Sequence, residues 1–319
     1  MTKRHSILCV GAMVMVLLAA GIVSVSAMQP TGNETASAGG DNVLLIATTT
    51  SLEDTGLLAA LESQYENMTD IDVRVTAQGT GQALETASRG DADMVMVHSP
   101  ALEEQFIADG YGTNARCFAY NYFEIVGPES DPAGIEGMTP EEAFTAIYNA
   151  GQNGTEGVAF ASRGDNSGTN NAEIAIWEAA GYNYTEQIQN AGPWYMETGT
   201  GMGETLTFAS EQGAYTLTDK GTFLAFQSDL DLVPLVTEGD ILLNRYSAIA
   251  VNPDNVPGVN FEQSNAFINW LISNDTKEFI GNYGVADYGE PLFTPLYPPE
   301  CGAAPFNCTC TGDVGPVPA

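Results

Sequence analysis

Apolar positions in this chain fall into short unbroken runs separated by stretches with helical spacing. Val43-Leu44-Leu45-Ile46-Ala47 and Met94-Val95-Met96-Val97 are continuous apolar runs, the pattern of strands covered on both faces in a parallel sheet. Between them Leu57, Leu58, Leu61 and Tyr65 recur on one helical face, with Asp54 or Thr55 placed to cap that helix. Ile71-Asp72-Val73-Arg74-Val75 alternates like a strand and leads through Gly79-Thr80-Gly81 into a helix reaching Ala87. Arg89 closes that helix, and Gly90 supplies the residue that terminates it. This β-α-β-α-β rhythm predicts a doubly wound α/β domain. Ligands of such sheets collect at the carboxyl ends of the strands, which is where Thr48-Thr49-Thr50-Ser51 falls.

Tyr122 to Val126 predicts a further strand, broken by Gly127-Pro128. Thr139-Pro140-Glu141-Glu142 combines an N-cap, a proline at the first helical position and a glutamate three residues after the cap, so a helix should run to about Ala150. Val158-Ala159-Phe160 then starts a second unit of the same kind, with a loop from Ser162 to Thr169 and a helix carrying Ile174, Ile176 and Trp177. Two later segments, Thr198 to Glu204 and Tyr215 to Gly221, also lead into helices, and no strand is expected before the first. Ser247 to Val251 reads as a strand and Asn265 to Ile280 as paired helices, while the Pro- and Cys-bearing tail from Pro291 should wrap the surface.

Composition narrows the function. There are 41 acidic and 9 basic residues, a net charge of −32, so the clustered Lys and Arg that neutralise nucleic-acid phosphates are missing. His5 and His98 are the only histidines, which removes multi-histidine zinc sites and most histidine-relay hydrolases. Lys3, Arg4 and His5 precede an apolar run from Ile7 to Val25 and small residues up to Ala27. Residues 1–27 therefore read as an export signal, followed by a polar linker at 28–41. The run is also long enough to remain as an uncleaved membrane anchor. Cleavage would leave 7 basic against 41 acidic groups, a net −34, which suits a solvated surface at high salt. An exported chain could carry glycans at six sequons, Asn33, Asn67, Asn153, Asn183, Asn274 and Asn307. Cys117, Cys301, Cys308 and Cys310 then fit two disulfides. All three pairings stay open, although Cys308 with Cys310 is too close in sequence for easy geometry and long-range ties to Cys117 are favoured. A zinc site on these four cysteines is the alternative.

Four loops rich in Thr, Ser and Gly each open a helix, and helix-start N–H groups flanked by hydroxyls suit an anion. Gly199 to Gly203 lacks the spacing of a dinucleotide loop, and there is no Walker A sequence. Arg163 stands out because basic residues are so scarce; its bland alternative is a surface ion pair with Asp165. His98, directly after a buried strand, suits a structural hydrogen bond or a ligand contact equally. Glu53 and Asp54 beside Ser51 hint at acid–base chemistry, but helix capping explains them better.

Together, Thr48-Thr49-Thr50-Ser51, Ser162-Arg163-Gly164-Asp165 with Ser167-Gly168-Thr169, Trp194-Tyr195 with Glu197-Thr198-Gly199 and Gly201-Met202-Gly203, and Tyr215 to Asp219 resemble the tungstate-binding proteins of Tup-type ABC transporters over residues 42 to 295. The resemblance implies an α/β, two-lobed type II periplasmic-binding-protein fold with crossing hinge strands. One lobe would comprise 42–123 with 246–319 and the other 124–245. They would close on tungstate or molybdate without cofactor or catalysis. The resemblance implies that the Thr-Thr-Thr-Ser loop and Arg163 contact the oxyanion, and the full expected ligand set is Thr49, Thr50, Ser51, Thr80, Arg163, Ser167, Gly168, Thr169, Thr200 and Gly201. The implied partners are the membrane permease and ATPase subunits of an ABC importer, served by a monomer. Asn170, Lys220 and Tyr122 depart from the family's usual His, Arg and Asp, which leaves their roles open. Phosphate capture is the nearest alternative, because Arg163-x-Asp165-x-Ser167-Gly168-Thr169 also resembles a loop of phosphate-binding proteins, and the phosphate proton would need an acceptor such as Asp165. A secreted hydrolase using Ser51 or Ser167 lacks an evident base.

Overall fold

A computed structural model describes residues 42–315. The expected signal and linker, with Cys9 and the Asn33 sequon, lie outside the described residues. Strand β1 (Val43–Thr49) runs parallel between β2 (Asp72–Gln78) and β3 (Met94–Val97), as the unbroken apolar runs predict. Helices α1 (Thr50–Asp54), α2 (Leu57–Met68), α3 (Thr80–Ser88) and α4 (Pro100–Ala108) alternate with these strands. Leu57, Leu58, Leu61 and Tyr65 are the buried face of α2. Past α3, Gly90 has φ +82° beyond Arg89, the left-handed conformation that glycine tolerates best.

The sheet continues from β3 to an antiparallel partner late in the chain, β9 (Leu243–Val251), and from there to one long strand, β4 (Gly112–Gly127), that reaches the other half. The first part of β4 pairs antiparallel with β9, from Gly112 opposite Val251 to Tyr122 opposite Leu243. Its last part, Phe123 to Val126, pairs with β7 (Tyr215–Asp219) instead. Helix α5 (Pro140–Gln152) starts with the expected capping box, Thr139 and Glu142 exchanging side-chain and backbone hydrogen bonds. Strand β5 (Phe160–Ser162) runs parallel to both β7 and β6 (Tyr195–Glu197), and α6 (Gly168–Ala179), α7 (Met202–Gln212) and α8 (Lys220–Phe226) follow strands or loops of this half. The strand order is β2-β1-β3-β9-β4-β7-β5-β6, with β8 (Val233–Val236) and β10 (Thr294–Pro295) also paired to β4. One core cluster runs from Leu44 to Ala119 and from Tyr246 to Val314 with Leu224 added, and another from Phe123 to Leu242. The two apolar cores thus change over where β4 changes partner.

Strand β6 corrects the expectation that no strand precedes Gly199. It has three residues, too few to show a period in sequence. The paired helices begin earlier than expected, as α9 (Phe261–Leu271) and α10 (Asn274–Asn282), and a short α11 (Val285–Tyr288) follows.

The tail is bound by disulfides Cys117–Cys308 and Cys301–Cys310. One is the long-range tie to Cys117 and the other closes within the tail, so all four sulfurs are used and the zinc alternative falls. Basic residues add to this anchorage. Arg116 Nε and Nη2 donate to Gly312 O, Arg245 Nη1 to Phe306 O and the buried Lys277 Nζ to Cys310 O. Three of the seven basic residues after Ala27 therefore hold tail carbonyls. Arg74 and Arg89 pair with acids at the surface, where ion pairs are worth little. Asn67, Asn153, Asn183, Asn274 and Asn307 are exposed. Among the described residues, no helix is long and apolar enough to cross a membrane.

Candidate functional site

The carboxyl ends of adjacent parallel strands put three segments side by side. β1 ends at Thr49 and passes into α1 at Thr50, β2 leads into Gly79 and the start of α3 at Thr80, and β3 is followed by His98. From the other half, β5 ends at Ser162, Arg163 follows, and Ser167 caps α6 by accepting a hydrogen bond from Asn170 N. The two sets of loops touch. Gly81 N donates to Asn166 O at 3.1 Å. A Cβ on Gly79 would sit 3.2 Å from Asp165 Oδ2, and one on Gly168 only 2.6 Å from the His98 ring. A side chain would block the approach at Gly168 and crowd the one at Gly79.

Arg163 is 2% exposed. Its Nη2 pairs with Asp165 Oδ2 at 2.6 Å, and Asp165 Oδ1 accepts from Ser167 N at 3.1 Å. The ion pair with Asp165 is real, but it is a buried contact rather than a surface one. It uses a single guanidinium nitrogen, and Arg163 Nε and Nη1 remain buried with no partner. The same holds for Thr49 Oγ1, Ser51 Oγ, Thr80 Oγ1, Thr169 Oγ1 and His98 Nε2. An unsatisfied buried polar group costs about 1–3 kcal/mol, and native structures contain few. Such a concentration on facing loops is what a ligand rich in acceptor oxygens would satisfy. Among the described residues no His/Cys/Asp/Glu cluster could hold a metal cation.

Residues 33–275 match the PBP superfamily domain. A Haloferax volcanii protein named provisionally as an ABC transporter anion-binding protein is 44% identical over 270 residues, covering 83% of this chain and 75% of that one. Tungstate-binding protein TupA of Peptoclostridium acidaminophilum is 38% identical over 279 residues, 88% of this chain and 94% of its own. The solved tungstate-binding protein TupA of Desulfovibrio alaskensis G20 is 40% identical, with a TM-score of 0.64 over 80% of this chain and 98% of that one. The chain belongs to the TupA family of the PBP superfamily.

Within this TupA-family chain, five of the expected ligand residues, Thr49, Ser51, Thr80, Arg163 and Thr169, present unpartnered polar atoms. Ser167 Oγ is engaged as the α6 cap, and Gly168 lies under His98. Thr50, Thr200 and Gly201 are placed differently. Thr50 Oγ1 accepts from Met202 N at 3.4 Å, Thr200 Oγ1 lies 3.3 Å from Thr205 Oγ1, and Gly201 N donates to Glu204 Oε2. Through these atoms the three also serve the junction of α1 with α7 and the α7 start. The departures from the family pattern are also engaged elsewhere: Asn170 bonds Asn166 N and Tyr184 OH, Lys220 pairs with Glu290, and Tyr122 is exposed beside Tyr120.

Asp54 does not cap α2, whose N-cap is Gly56 at φ 75°; Thr55 Oγ1 accepts from Leu57 N instead. Asp54 Oδ2 accepts from Gly203 N at 3.0 Å, reaching from one half of the chain to the start of α7 in the other. Burial outweighs this hydrogen bond and pushes the Asp54 carboxyl up from 3.8 to about 6. An acid raised in the folded state favours the fold when protonated, so this contribution is present at low pH and lost as pH rises through about 6. Asp54→Asn, which keeps an acceptor for Gly203 N, should melt higher than the parent at pH above 7, with the gain shrinking towards pH 4. A gain that is equal at both ends of a melting-temperature series against pH would contradict this assignment.

Glu173, absent from the expected site, is a buried carboxylate of α6 that accepts from Ser162 Oγ, Trp177 Nε1 and Tyr195 OH. Burial pushes it up to about 7 despite those donors. It ties α6 to the strand end that carries Arg163. The four-residue spacing to Trp177 was a visible signal, but only the fold brings in Ser162 and Tyr195.

Proposed function

We propose that this chain is the solute-binding component of an ABC importer and captures tungstate between its two halves. The observation that carries this is Arg163, buried with two unused donor nitrogens among unpartnered Thr and Ser hydroxyls. The names of its relatives supply tungstate as the oxyanion. Buried donors fixed on facing loops replace the hydration shell of such an ion. Phosphate is less well served at Asp165, because one of its oxygens is held by Arg163 and the other by Ser167 N. Molybdate, of nearly the same shape, should compete.

We place the lobes at 42–123 with 246–319 and at 124–245, closing about the crossing strands, with the permease and ATPase subunits as partners and binding without chemical change. The chain works exported and as a monomer, either released after residue 27 or held by its N-terminal run, and the exposed sequons are available to glycans.

Calorimetric titration against tungstate, molybdate, sulfate and phosphate tests this reading. Tungstate should bind one to one, molybdate comparably, and phosphate far more weakly. At a thousandfold excess over Kd, tungstate should add about 4.1 kcal/mol to stability. A larger effect from phosphate would transfer the assignment to phosphate capture.

Net charge gives a kinetic prediction. A strongly anionic protein repels a dianion over a Debye length of roughly 30 Å at 0.01 M salt and roughly 10 Å at 0.1 M. The tungstate association rate should therefore rise with sodium chloride, opposite to the usual steering of a charged ligand. Stopped-flow measurement showing a fall would mean that the local positive field of the cleft governs approach.

A further inference from the structure

His98 is the one unpartnered group of the cluster whose role neither the motifs nor the family likeness assigns. Its ring is buried, stacked on Tyr246 at 4.8 Å, 6.1 Å from Phe123, and lies over Gly168 at the start of α6. Nδ1 is 2.8 Å from Asn244 Oδ1 and Nε2 has no partner.

A chain of amides fixes which nitrogen carries the proton. Asn121 Nδ2 donates to Leu292 O at 3.4 Å and to Asp219 Oδ1 at 3.3 Å. A backbone carbonyl can only accept, so Asn121 presents its Oδ1 to Asn244. Asn244 Nδ2 donates to that oxygen at 2.8 Å and to Tyr246 OH at 3.0 Å. Asn244 therefore turns Oδ1 towards His98, and Nδ1 must be the donor. In the neutral ring this leaves Nε2 as a bare lone pair. A bare lone pair repels an oxyanion that has no proton of its own.

Resting on the oxyanion reading above, we propose that His98 contacts the bound ion and that tungstate capture takes up one proton from solvent, held on Nε2 and donated to a ligand oxygen. No bond to tungsten forms or breaks; neutral His98 and the dianion become an imidazolium–dianion pair. Before binding, burial pushes His98 down from 6.5 to about 4, partly offset by the bond to Asn244. The charged groups that act on it across the cleft are Arg163, which opposes protonation, and Asp165, which favours it. A bound dianion adds a strong pull in the same sense as Asp165. Asn244, Tyr246, Phe123 and Gly168, which surround the rest of the ring, bring no further charge. Monohydrogen phosphate could instead give its own proton to Nε2, with no net uptake.

The test is calorimetry of the exported chain with sodium tungstate at about pH 7.5, in buffers of low and high ionisation enthalpy. The parent should take up roughly one proton per ion, and its affinity should fall about tenfold per pH unit between about pH 7 and pH 9. His98→Gln, with an amide donor in place of Nε2, should still bind, with no buffer dependence and a flat pH profile. Parent binding without proton uptake would overturn the proposal while leaving tungstate capture standing. Uptake that survives in His98→Gln would also overturn it, assigning the proton to another buried acid such as Asp54 or Glu173. An absence of tungstate binding by the parent would remove both this proposal and the functional reading. Should the variant not fold, nitrogen NMR of the parent labelled on histidine decides instead: the His98 ring should pass from one protonated nitrogen to two when sodium tungstate is added at about pH 7.5, and a ring unchanged by tungstate would overturn the proposal.

Discussion

Replacing Arg163 with alanine should weaken tungstate binding by about 2–5 kcal/mol, roughly 30-fold to several thousandfold, the range for losing one partner of a buried charge-assisted contact. The loss has two parts. The oxyanion would lose the donors on Nε and Nη1, and Asp165 would remain in the cleft with only Ser167 N as a donor. Arg163→Lys should fall between parent and alanine, because an ammonium lacks the planar fork that can hold Asp165 on one nitrogen and offer further donors to the ion from the others. Ser167→Ala should act mainly on stability, by about 1 kcal/mol, since its hydroxyl caps α6. Competitive titration of the three variants, each checked for folding, gives the order. If Arg163→Ala binds like the parent, the arginine serves Asp165 alone.

Exchanging Cys117 and Cys308 together for serine should remove stability of the size typical for a native disulfide, about 2–5 kcal/mol. This tie joins positions 191 residues apart, whereas Cys301–Cys310 spans 9. On the chain-entropy account the longer loop lies towards the upper end and the shorter towards the lower. Denaturant titration of each double serine variant should therefore show the larger fall in midpoint for the long tie. Equal midpoints for both would mean that the carbonyl contacts from Arg116, Arg245 and Lys277 hold the tail without it.

The parallel strands were legible in sequence because covered strands read as unbroken apolar runs, and α2 because four apolar residues share a face. The capping box at Thr139 was equally plain, since every group it needs lies within three residues. Features that failed to show depend on partners distant in sequence. Asp54 looks like a helix cap until Gly203, 149 positions away, is brought to it. The contact of α1 with α7 that Thr50 and Thr200 share is likewise brought together only by the fold. His98 looked ambiguous because its proton position depends on Asn244, Asn121 and Leu292, which no local pattern connects. Disulfide pairing stayed open for the same reason: three of the four cysteines crowd into ten residues, and only the course of the tail along β4 selects between them.

The most direct measurement of the central claim is anomalous diffraction at a tungsten absorption edge from crystals grown with tungstate. One dominant peak should lie in the cleft, with the oxygens of the ion in hydrogen-bonding reach of one free edge of the Arg163 guanidinium and of the Thr49, Ser51, Thr80 and Thr169 hydroxyls. A fully bound ion peaking elsewhere, with Arg163 Nε and Nη1 still unpartnered, would contradict it.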